Sequence, residues 1–390
     1  MSDAFIISGA RTPIGSFRGA FNSLTATDLG GVAVEAAIQR SGLSNDQIDE
    51  VIMGNVLQAG VGQAPARQAA LKAGLPPTIA AVTVNKVCGS GLKAVMMAGQ
   101  AIRCGDASAI VAGGMEAMSA APHLVRKIRD GVKLGDLTLI DAMVHDGLTC
   151  AFEGCHMGLH AEHISRRFNV SREMQDEFAL RSQQRAAEAV ADGVFRDEIC
   201  PVTVRSRKGE TVVDTDEGPR PDTTAEGLAG LRTVFDREGT VTAGNASTIN
   251  DGAAAVMVVD QATAANSGFR FRIVASHTAG TEPKDLFIAP VEAVRGAAAR
   301  AGMDVNSIEL FEINEAFAAQ MMACINELGL DPERVNIHGG GIALGHPIGA
   351  SGARVLVSLM HAMQAQGAKT GCASLCLGGG NAVAMIIETA

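Results

Sequence analysis

Three side chains in this sequence, two cysteines and a histidine, could carry out nucleophilic chemistry. Cys88 lies in NKVCGSGLKAV and Cys376 in SLCLGGGNA, each between an apolar, strand-like run and a glycine cluster, and His346 lies in GHPIGASGAR. Where a strand leads through a turn of small residues into a helix, one side chain is presented at the helix N-terminus, whose unpaired N–H groups and dipole favour an anion. We therefore expect both thiols to be biased toward the thiolate. The set suggests a nucleophile, a second thiol that acts as acid and base, and an activating base.

The segments that contain these residues repeat one order of elements. Residues 79–115 predict a strand, a glycine turn, a helix and a second strand, in IAAVTVNKV, CGSG, LKAVMMAGQAIRCG and ASAIVAGG. The same order returns near the end of the chain in VNIHGGGIAL, GHPIGASG, ARVLVSLMHAMQAQG and CASLCLGGG. When the helices are aligned on their Ser-Gly pairs, at 90–91 and 351–352, the two cysteines fall at different positions of the repeat. We infer an internal duplication of two βαβ-type halves, with chance similarity of glycine- and alanine-rich segments as the alternative.

The middle of the chain differs in composition from both halves. Residues 118–245 hold the most charged stretches, among them RKIRDGVKLGD and SRRFNVSREMQDEF, and predict a long helix over 171–192. We interpret this segment as an insertion into the first half, which resumes with a strand in NASTINDGAAAVMVV. The expected units are an N-terminal half (1–117 with 246–268), an inserted loop domain (118–245) and a C-terminal half (269–390). Within the first half, the pattern also predicts a helix over 27–40 and a buried run over 51–57.

The overall composition limits the classes of function. The chain has 390 residues, 47% of them hydrophobic, and a net charge of −10. It is long enough for two or three domains, it has no apolar run of membrane length, and its charge argues against nonspecific binding to nucleic acid or anionic membranes. The N-terminus predicts neither a signal nor a transit peptide. Eight cysteines without CxxC spacing predict free thiols in a reducing cytoplasm and no metal site.

Seven stretches in a fixed order resemble the thiolases, and among them the biosynthetic, acetyl-CoA acetyltransferase branch. They are NKVCGSGLKAV, AGGMEAMSAAPH, HMG, GTVTAGNAS followed by NDGAAA, INEAFAAQ, GGGIALGHPIGASGAR and CLGGG. The resemblance extends from about residue 5 to residue 387. It implies an α/β protein with the thiolase fold, in which two duplicated α/β halves form a five-layered α/β/α/β/α arrangement. An inserted loop domain would cover the site for coenzyme A (CoA).

The resemblance also implies a role for each reactive residue. Cys88 matches the thiolase nucleophile that takes the acyl group as a thioester, and His346 matches the histidine that activates it. Cys376 matches the acid and base that exchanges a proton with the CoA thiol or with the α-carbon of acetyl-CoA. The amides of Cys88 and Gly378 would form one oxyanion hole, and Asn314, through a water that works with His346, would form the other. For Asn314 the alternative is a structural role as a helix N-cap.

Further residues match positions that contact CoA. Arg220 and Ser247 match contacts to the adenosine end and the pantetheine arm, and His156 and Met157 match the pantetheine and acyl region. For Arg220 the alternative is a solvated loop charge, and for His156 and Met157 it is a structural role. The chain has no P-loop and no GxGxxG in a strand–helix setting. We expect no tightly bound cofactor, with CoA and acyl-CoA as substrates. One departure is PKDLFIAP, where short-chain relatives often carry a Met-Gly-x-Gly-Pro segment, so the bulky residues 286–288 could select acyl-chain length.

The reaction that the resemblance implies is reversible acyl exchange. An acetyl-CoA C-acetyltransferase converts two acetyl-CoA into acetoacetyl-CoA and CoA through an acyl-cysteine, and the alternative is a degradative 3-ketoacyl-CoA thiolase with a broader or longer acyl preference. A decarboxylating ketosynthase is disfavoured by Cys376, and a non-catalytic acyl-CoA- or lipid-binding relative by the presence of all three reactive residues. The resemblance further implies a homotetramer built from dimers.

Overall fold

The computed structural model describes residues 3–132, 134–207 and 209–390. The strands are β1 (Ala4–Arg11), β2 (Gly15–Ser16), β3 (Glu50–Gly54), β4 (Ala80–Val84), β5 (Ala109–Ala117), β6 (His123–Val125), β7 (Leu139–Asp141), β8 (Val202–Ser206), β9 (Gly209–Val213), β10 (Asn250–Asp260), β11 (Phe271–Gly280), β12 (Leu310–Ile313), β13 (Thr370–Leu377) and β14 (Asn381–Thr389). The α-helices are α1 (Ala26–Ser41), α2 (Pro65–Lys72), α3 (Ser90–Cys104), α4 (Met157–Arg167), α5 (Arg172–Ala191), α6 (Ala225–Ala229), α7 (Gln261–Ala264), α8 (Ala289–Ala301), α9 (Ala318–Leu328), α10 (Gly341–Leu344) and α11 (Ser351–Gln366). None of the helices in the described ranges has both the length and the apolar character needed to cross a bilayer.

The helix boundaries follow local capping chemistry. Thr25 and Asp28 form a capping box, in which each side chain accepts a hydrogen bond from the other residue's backbone N–H, so α1 begins at Ala26. Ser171 caps α5 by accepting from the backbone of Met174 at 3.3 Å. The helices predicted over 27–40 and 171–192 therefore differ from the observed α1 and α5 by one residue at each end.

The strand order displays the duplication. The first half contributes β4-β3-β5-β10-β1 and the second half β12-β13-β14-β11. The pair β3 and β5 is parallel, as is the pair β12 and β13, whereas β5 with β10 and β13 with β14 are antiparallel. The two sets join where β1 meets β11 through only two residue pairs. Four strands of each half thus share one arrangement, to which the first half adds β4, and the two sets of strands are joined at one narrow seam.

Five layers result from the way helices cover the two sets of strands. Helices α1 and α2 pack on the outer face of the first half, and their core includes Met53 and Met257. Helices α8 and α9 pack on the outer face of the second half, with Phe311 in their core. Helices α3 and α11 lie between the two halves, within a core that contains inward side chains of both. The expected α/β/α/β/α arrangement of the thiolase fold is confirmed.

The charged middle of the chain lies between β5 and β10, two neighbouring antiparallel strands of the first half. It contains the helices α4, α5 and α6 and two short hairpins, β6–β7 and β8–β9. We propose the three units of the sequence analysis as the domains of the chain. Two observations support that division: the insertion separates the paired strands β5 and β10 in the sequence, and each half has its own outer core.

One predicted element is wrong. The repeat predicted a strand over 335–344, but the structure has a single bridge between Val335 and Phe311, followed by the short helix α10. Asn336 explains the difference, because its side chain takes the place of a neighbouring strand by bonding both the N–H and the carbonyl of Ile313, at 2.9 and 2.8 Å. Gly339, with a φ of +76°, then turns the chain away.

The first turns of α3 and α11 are in direct contact. A Cβ added to Gly91 would lie 2.6 Å from the backbone nitrogen of Ala353, and one added to Gly352 would lie 2.3 Å from the backbone nitrogen of Leu92. Only glycine fits at either position, because the neighbouring atoms belong to backbone and cannot rotate away. Since Cys88 precedes α3 and His346 precedes α11, this contact brings the two reactive segments together.

Replacing Gly91 with alanine tests this contact. We expect Gly91→Ala to lower the free energy of unfolding by about 1–3 kcal/mol, because overpacking forces the helices apart. Urea unfolding followed by circular dichroism measures the change. The matched control is Gly268→Ala, whose added Cβ would meet no atom within 4 Å. Equal unfolding midpoints for the two variants would contradict a tight contact at Gly91.

Candidate active site

Cys88 lies in a strained turn between β4 and α3. Val87 adopts a φ of +47°, which is unusual for a β-branched residue and indicates strain that the surroundings must support. The hydroxyl of Ser90 closes the turn: it accepts a hydrogen bond from the N–H of Lys86 at 2.8 Å and donates to the carbonyl of Val87 at 2.6 Å. The turn holds Cys88 at the end of the sheet, just before α3.

The pKa of the partly exposed Cys88 thiol is raised in the free protein. Burial raises the pKa of Cys88 to about 12, although the backbone N–H groups of Cys88 itself and of Gly378 point at the sulfur and favour the thiolate. The nearby Glu116 acts in the same direction as burial. The predicted bias toward the thiolate is therefore wrong for this residue, because the loss of hydration outweighs the effect of the helix N-terminus.

His346 is a buried, neutral imidazole whose orientation is set by its neighbours. Its backbone N–H donates to the side-chain oxygen of Asn250 at 3.0 Å. Its Nδ1 lies 2.6 Å from the hydroxyl of Ser351, which itself donates to the carbonyl of Pro347 at 2.9 Å. The hydroxyl must then accept from Nδ1–H, which leaves the lone pair on Nε2. Burial, with Arg354 nearby, lowers the pKa of His346 to about 3.

Asn314 faces the imidazole from the end of β12. Its Nδ2 lies 3.4 Å from Nε2 of His346, and the residue is fully buried. Helix α9 begins only after Phe317, so Asn314 is not a helix cap. The neighbouring Glu315 has a structural role, because its carboxylate accepts hydrogen bonds from three groups that hold the surrounding loops: Ser182, Asn336 and the backbone of Ile342.

Cys376 lies inside strand β13, opposite Ala382 of β14. The glycines that follow it form a tight hairpin, with φ angles of +84° and +85° at Gly379 and Gly380. The prediction that this cysteine precedes a helix is wrong, because the chain turns straight back into a strand. Burial, followed by the neighbouring thiols Cys88 and Cys324, raises the pKa of Cys376 well above its ordinary value, so the predicted thiolate bias is wrong here too.

One cavity of about 220 Å³ brings together four of the five predicted catalytic residues, whereas Asn314 does not line it and contacts His346 instead. Its lining includes Cys88, His346, Cys376 and Gly378, and an apolar wall formed by Met157, Leu286, Phe287, Phe317 and Ile348. A larger groove of about 710 Å³ opens beside it, and Phe235 and residues 246–249 line both. Together the two spaces form a path from the protein surface to the reactive thiols.

The residues predicted to contact CoA lie along this path. Arg220 lines the groove, is exposed, and forms no ion pair with any residue of the described ranges. Ser247 lines both the groove and the cavity. His156 and Met157 line the cavity, where His156 caps α4 and stacks on Phe235 with ring centroids 4.6 Å apart. The CoA contacts themselves stay predictions.

The sequence analysis missed a residue that connects the two halves at the site. The buried carboxylate of Glu116, at the end of β5, accepts hydrogen bonds from the backbone of Val56 at 3.1 Å and from that of Gly349 at 3.0 Å, and from the side chain of Asn55 at 2.7 Å. Gly349 belongs to the loop that carries His346. An acidic residue directly after an apolar strand, in AGGMEAMS, was the available signal. Ser351 and Asn250, which orient His346, were missed as well.

The site can perform covalent acyl chemistry. A thiol and an imidazole that share one cavity provide a nucleophile and a base, and Nε2 is the ring atom with the free lone pair. The backbone N–H groups of Cys88 and Gly378 are aimed at the Cys88 sulfur. A second thiol beside them provides another proton donor and acceptor.

Comparison with known proteins identifies the family. Residues 4–262 match Thiolase, N-terminal domain, and residues 269–389 match Thiolase, C-terminal domain. The chain is 52% identical over 391 residues to an acetyl-CoA acetyltransferase of Escherichia coli K12, covering 100% of this chain and 99% of that protein. It is 53% identical over 385 residues to an acetyl-CoA acetyltransferase of Rhizobium meliloti, covering 98% of each.

A solved structure agrees with these matches. The crystal structure of the Bacillus anthracis acetyl-CoA acetyltransferase superposes with a TM-score of 0.97 and 41% sequence identity, covering 100% of this chain and 99% of that one. The matched segments span both halves and the insertion between them. This chain belongs to the thiolase family.

Proposed function

We propose that this chain is an acetyl-CoA C-acetyltransferase that condenses two acetyl-CoA into acetoacetyl-CoA and CoA, and catalyses the reverse cleavage. The observation that carries the proposal is the single cavity that holds Cys88, His346 and Cys376 beside the amide of Gly378. The relatives named above carry the same activity in their names. Residues from three separate segments of the chain meet there in the arrangement that two-step acyl exchange needs.

The first step forms an acetyl-enzyme. The Cys88 sulfur attacks the thioester carbon of acetyl-CoA while its proton passes to Nε2 of His346. The carbonyl oxygen becomes negative and is stabilised by N–H groups, among them that of Gly378. The carbon–sulfur bond to CoA then breaks, and the departing CoA sulfur takes a proton from Cys376. This leaves acetyl-Cys88, a protonated His346 and a Cys376 thiolate.

The second step forms the new carbon–carbon bond. The Cys376 thiolate removes a proton from the α-carbon of a second acetyl-CoA, and the resulting enolate attacks the acetyl carbon on Cys88. Asn314, with His346, supports the negative oxygen of this acetyl-CoA through a water. The bond to Cys88 breaks, and its sulfur recovers the proton from His346. A thiol whose pKa is raised by burial is a stronger base once ionised, which suits the removal of a carbon-bound proton.

The size of the cavity supports a short acyl group. Its volume is about 220 Å³, below the roughly 300–1,000 Å³ of usual ligand sites, and it must also admit the end of the pantetheine arm. Leu286 and Phe287 are both 2% exposed and close the apolar wall. The bulky segment that departs from the pattern of short-chain relatives therefore restricts the cavity, which favours acetyl transfer over the degradative, longer-chain alternative.

In this proposal CoA is a substrate and not a bound cofactor. It reaches the thiols through the larger groove beside the cavity. Arg220 at the groove wall would bind a phosphate or stack on the adenine, Ser247 would contact the pantetheine arm, and His156 and Met157 would contact its reactive end. No tightly bound cofactor is needed, because the thioester supplies the activation. All eight cysteines are free thiols, and two of them must stay reduced for the reaction, so we place the enzyme in the cytoplasm.

We also propose a homotetramer built from dimers. Strand β4 is the last in the order of the first half, and its residues are at least partly exposed, so its free edge can pair with the same edge of a second copy. The hairpin β6–β7 presents further apolar surface, with Leu139 63% exposed and Ile128 beside it 51% exposed. A monomeric mass in sedimentation equilibrium would contradict this assembly.

Substitution of each reactive thiol separates the two steps. With Cys88→Ala we expect no acetyl-enzyme and no turnover. With Cys376→Ala we expect acetyl-CoA to form an acetyl-enzyme more slowly, because the departing CoA sulfur loses its proton donor, and mass spectrometry of the intact protein detects it. We also expect a loss of at least about 100-fold in CoA-dependent cleavage of acetoacetyl-CoA, because the acid and base is missing. The control is Cys104→Ser, an exposed thiol at the end of α3. Cleavage at the wild-type rate by Cys376→Ala would exclude the two-thiol mechanism.

Enlarging the apolar wall tests the acyl-chain preference. We expect Leu286→Ala to raise kcat/KM for 3-oxopentanoyl-CoA relative to acetoacetyl-CoA by about 10- to 100-fold, because the one extra methylene accommodated in an apolar cavity is worth about 1–3 kcal/mol. The matched control is Leu71→Ala, on the exposed surface of α2. If the wild type cleaves the two substrates equally well, the degradative alternative replaces the proposed one.

The protonation states predict a pH dependence for alkylation of the free enzyme. Because the pKa of Cys88 is about 12, the thiolate fraction at neutral pH is small, and it rises about tenfold per pH unit. The rate of iodoacetamide labelling at Cys88, measured by peptide mass spectrometry, should therefore keep rising between about pH 7 and pH 10. A plateau below pH 8 would instead indicate a preformed thiolate–imidazolium pair.

A further inference from the structure

We propose that Glu153, Cys155 and His160 form a binding site for a zinc-like divalent cation at the edge of the catalytic cavity. One ligand atom from each residue lies within 4.8 Å of the other two. A thiol, an imidazole and a carboxylate are the three side-chain types that bind zinc in proteins, and cysteine selects against magnesium and calcium. The site does not depend on the proposed acyl transfer.

The spacing between sulfur and nitrogen already suits a tetrahedral cation. The Cys155 sulfur lies 3.5 Å from Nε2 of His160. Zinc–sulfur and zinc–nitrogen bonds of about 2.3 and 2.0–2.1 Å, at a tetrahedral angle, place these two atoms about 3.5 Å apart. Glu153 is exposed at the tip of a turn, so its side chain can make the remaining adjustment.

His160 is held as a metal-ligating histidine usually is. It is 2% exposed, and the backbone carbonyl of Lys284 lies near its ring, to which the ring can only donate. Metal-binding histidines commonly donate their other ring N–H in this way, which fixes the orientation of the ring.

A short hairpin-like turn presents the other two ligands. The N–H of Cys150 donates to the carbonyl of Cys155 at 2.8 Å, and that of Gly154 donates to the carbonyl of Cys150 at 2.8 Å. Cys155 is partly exposed, which leaves a path for a cation from solution. Before a cation binds, the Cys155 sulfur and Nε2 of His160 share a hydrogen bond. Binding of the cation releases the thiol proton and replaces this hydrogen bond with a sulfur–metal bond.

The consequence concerns the wall of the cavity. His156 and Met157, which line the cavity, lie between Cys155 and His160 in the chain. A cation held by residues on both sides of this pair fastens the start of α4 to the preceding turn. The cation thereby makes that part of the acyl and pantetheine wall more rigid.

Cobalt(II) is the probe that tests the site. The protein is the full chain with Cys88→Ala, because this substitution prevents cobalt from binding to the catalytic thiol. We expect one equivalent of cobalt, a thiolate-to-cobalt charge-transfer band and intense visible bands typical of four-coordination. Zinc should displace the cobalt and raise the thermal unfolding temperature. Adding Cys155→Ser should abolish the charge-transfer band, and Glu153→Gln should weaken binding about 10-fold or more while the band remains.

Two comparisons make the test decisive. Adding Cys104→Ser, which removes a thiol outside the cluster, should leave affinity and spectrum unchanged. Because Glu153 is exposed, Glu153→Gln should not impair folding, which circular dichroism checks. If cobalt does not bind, or if the band is the same after Cys155→Ser, then Cys155 and His160 form only a hydrogen bond and the proposal is wrong.

Discussion

The site depends on the close approach of α3 and α11 at Gly91 and Gly352, where backbone meets backbone between the two halves. At this distance the segments before the two helices are neighbours, so Cys88 and His346 reach one cavity although each belongs to a different half. Glu116 supports the same contact, since its carboxylate bonds the backbone of Val56 in one half and of Gly349 in the other. The carboxylate of Glu116 and the two glycines thus determine where the reactive residues meet.

Burial has the largest effect on the reactive groups. It raises the pKa values of both thiols and lowers that of His346, so the resting site contains no charge among these three residues. A neutral resting site avoids the cost of desolvating ions, and charge appears only when substrate arrives with the groups that stabilise it. In the proposed reaction, the N–H groups near the Cys88 sulfur bind the substrate oxygen rather than a thiolate.

Short contiguous segments made much of this architecture predictable. The turn–helix–strand patterns that begin at Cys88 and His346 revealed the duplication, and the helices predicted over 27–40 and 171–192 lie within one residue of α1 and α5 at each end. Features that depend on distant partners were not predictable in this way. The position of Cys376 in a hairpin depends on its pairing with β14, and the protonation states depend on burial from both halves. The Glu153, Cys155 and His160 cluster forms only when a turn closes over the first residues of α4.

The position of β10 has a consequence for how the chain folds as it is synthesised. This strand lies between β1 and β5, yet the whole insertion separates it from β5 in the sequence. The sheet of the first half therefore stays divided, with unpaired edges on β1 and β5, until the ribosome has released residues up to 260. Non-local pairing of this kind is slow, so we expect the nascent chain to expose these apolar edges for seconds and to depend on chaperones during that interval.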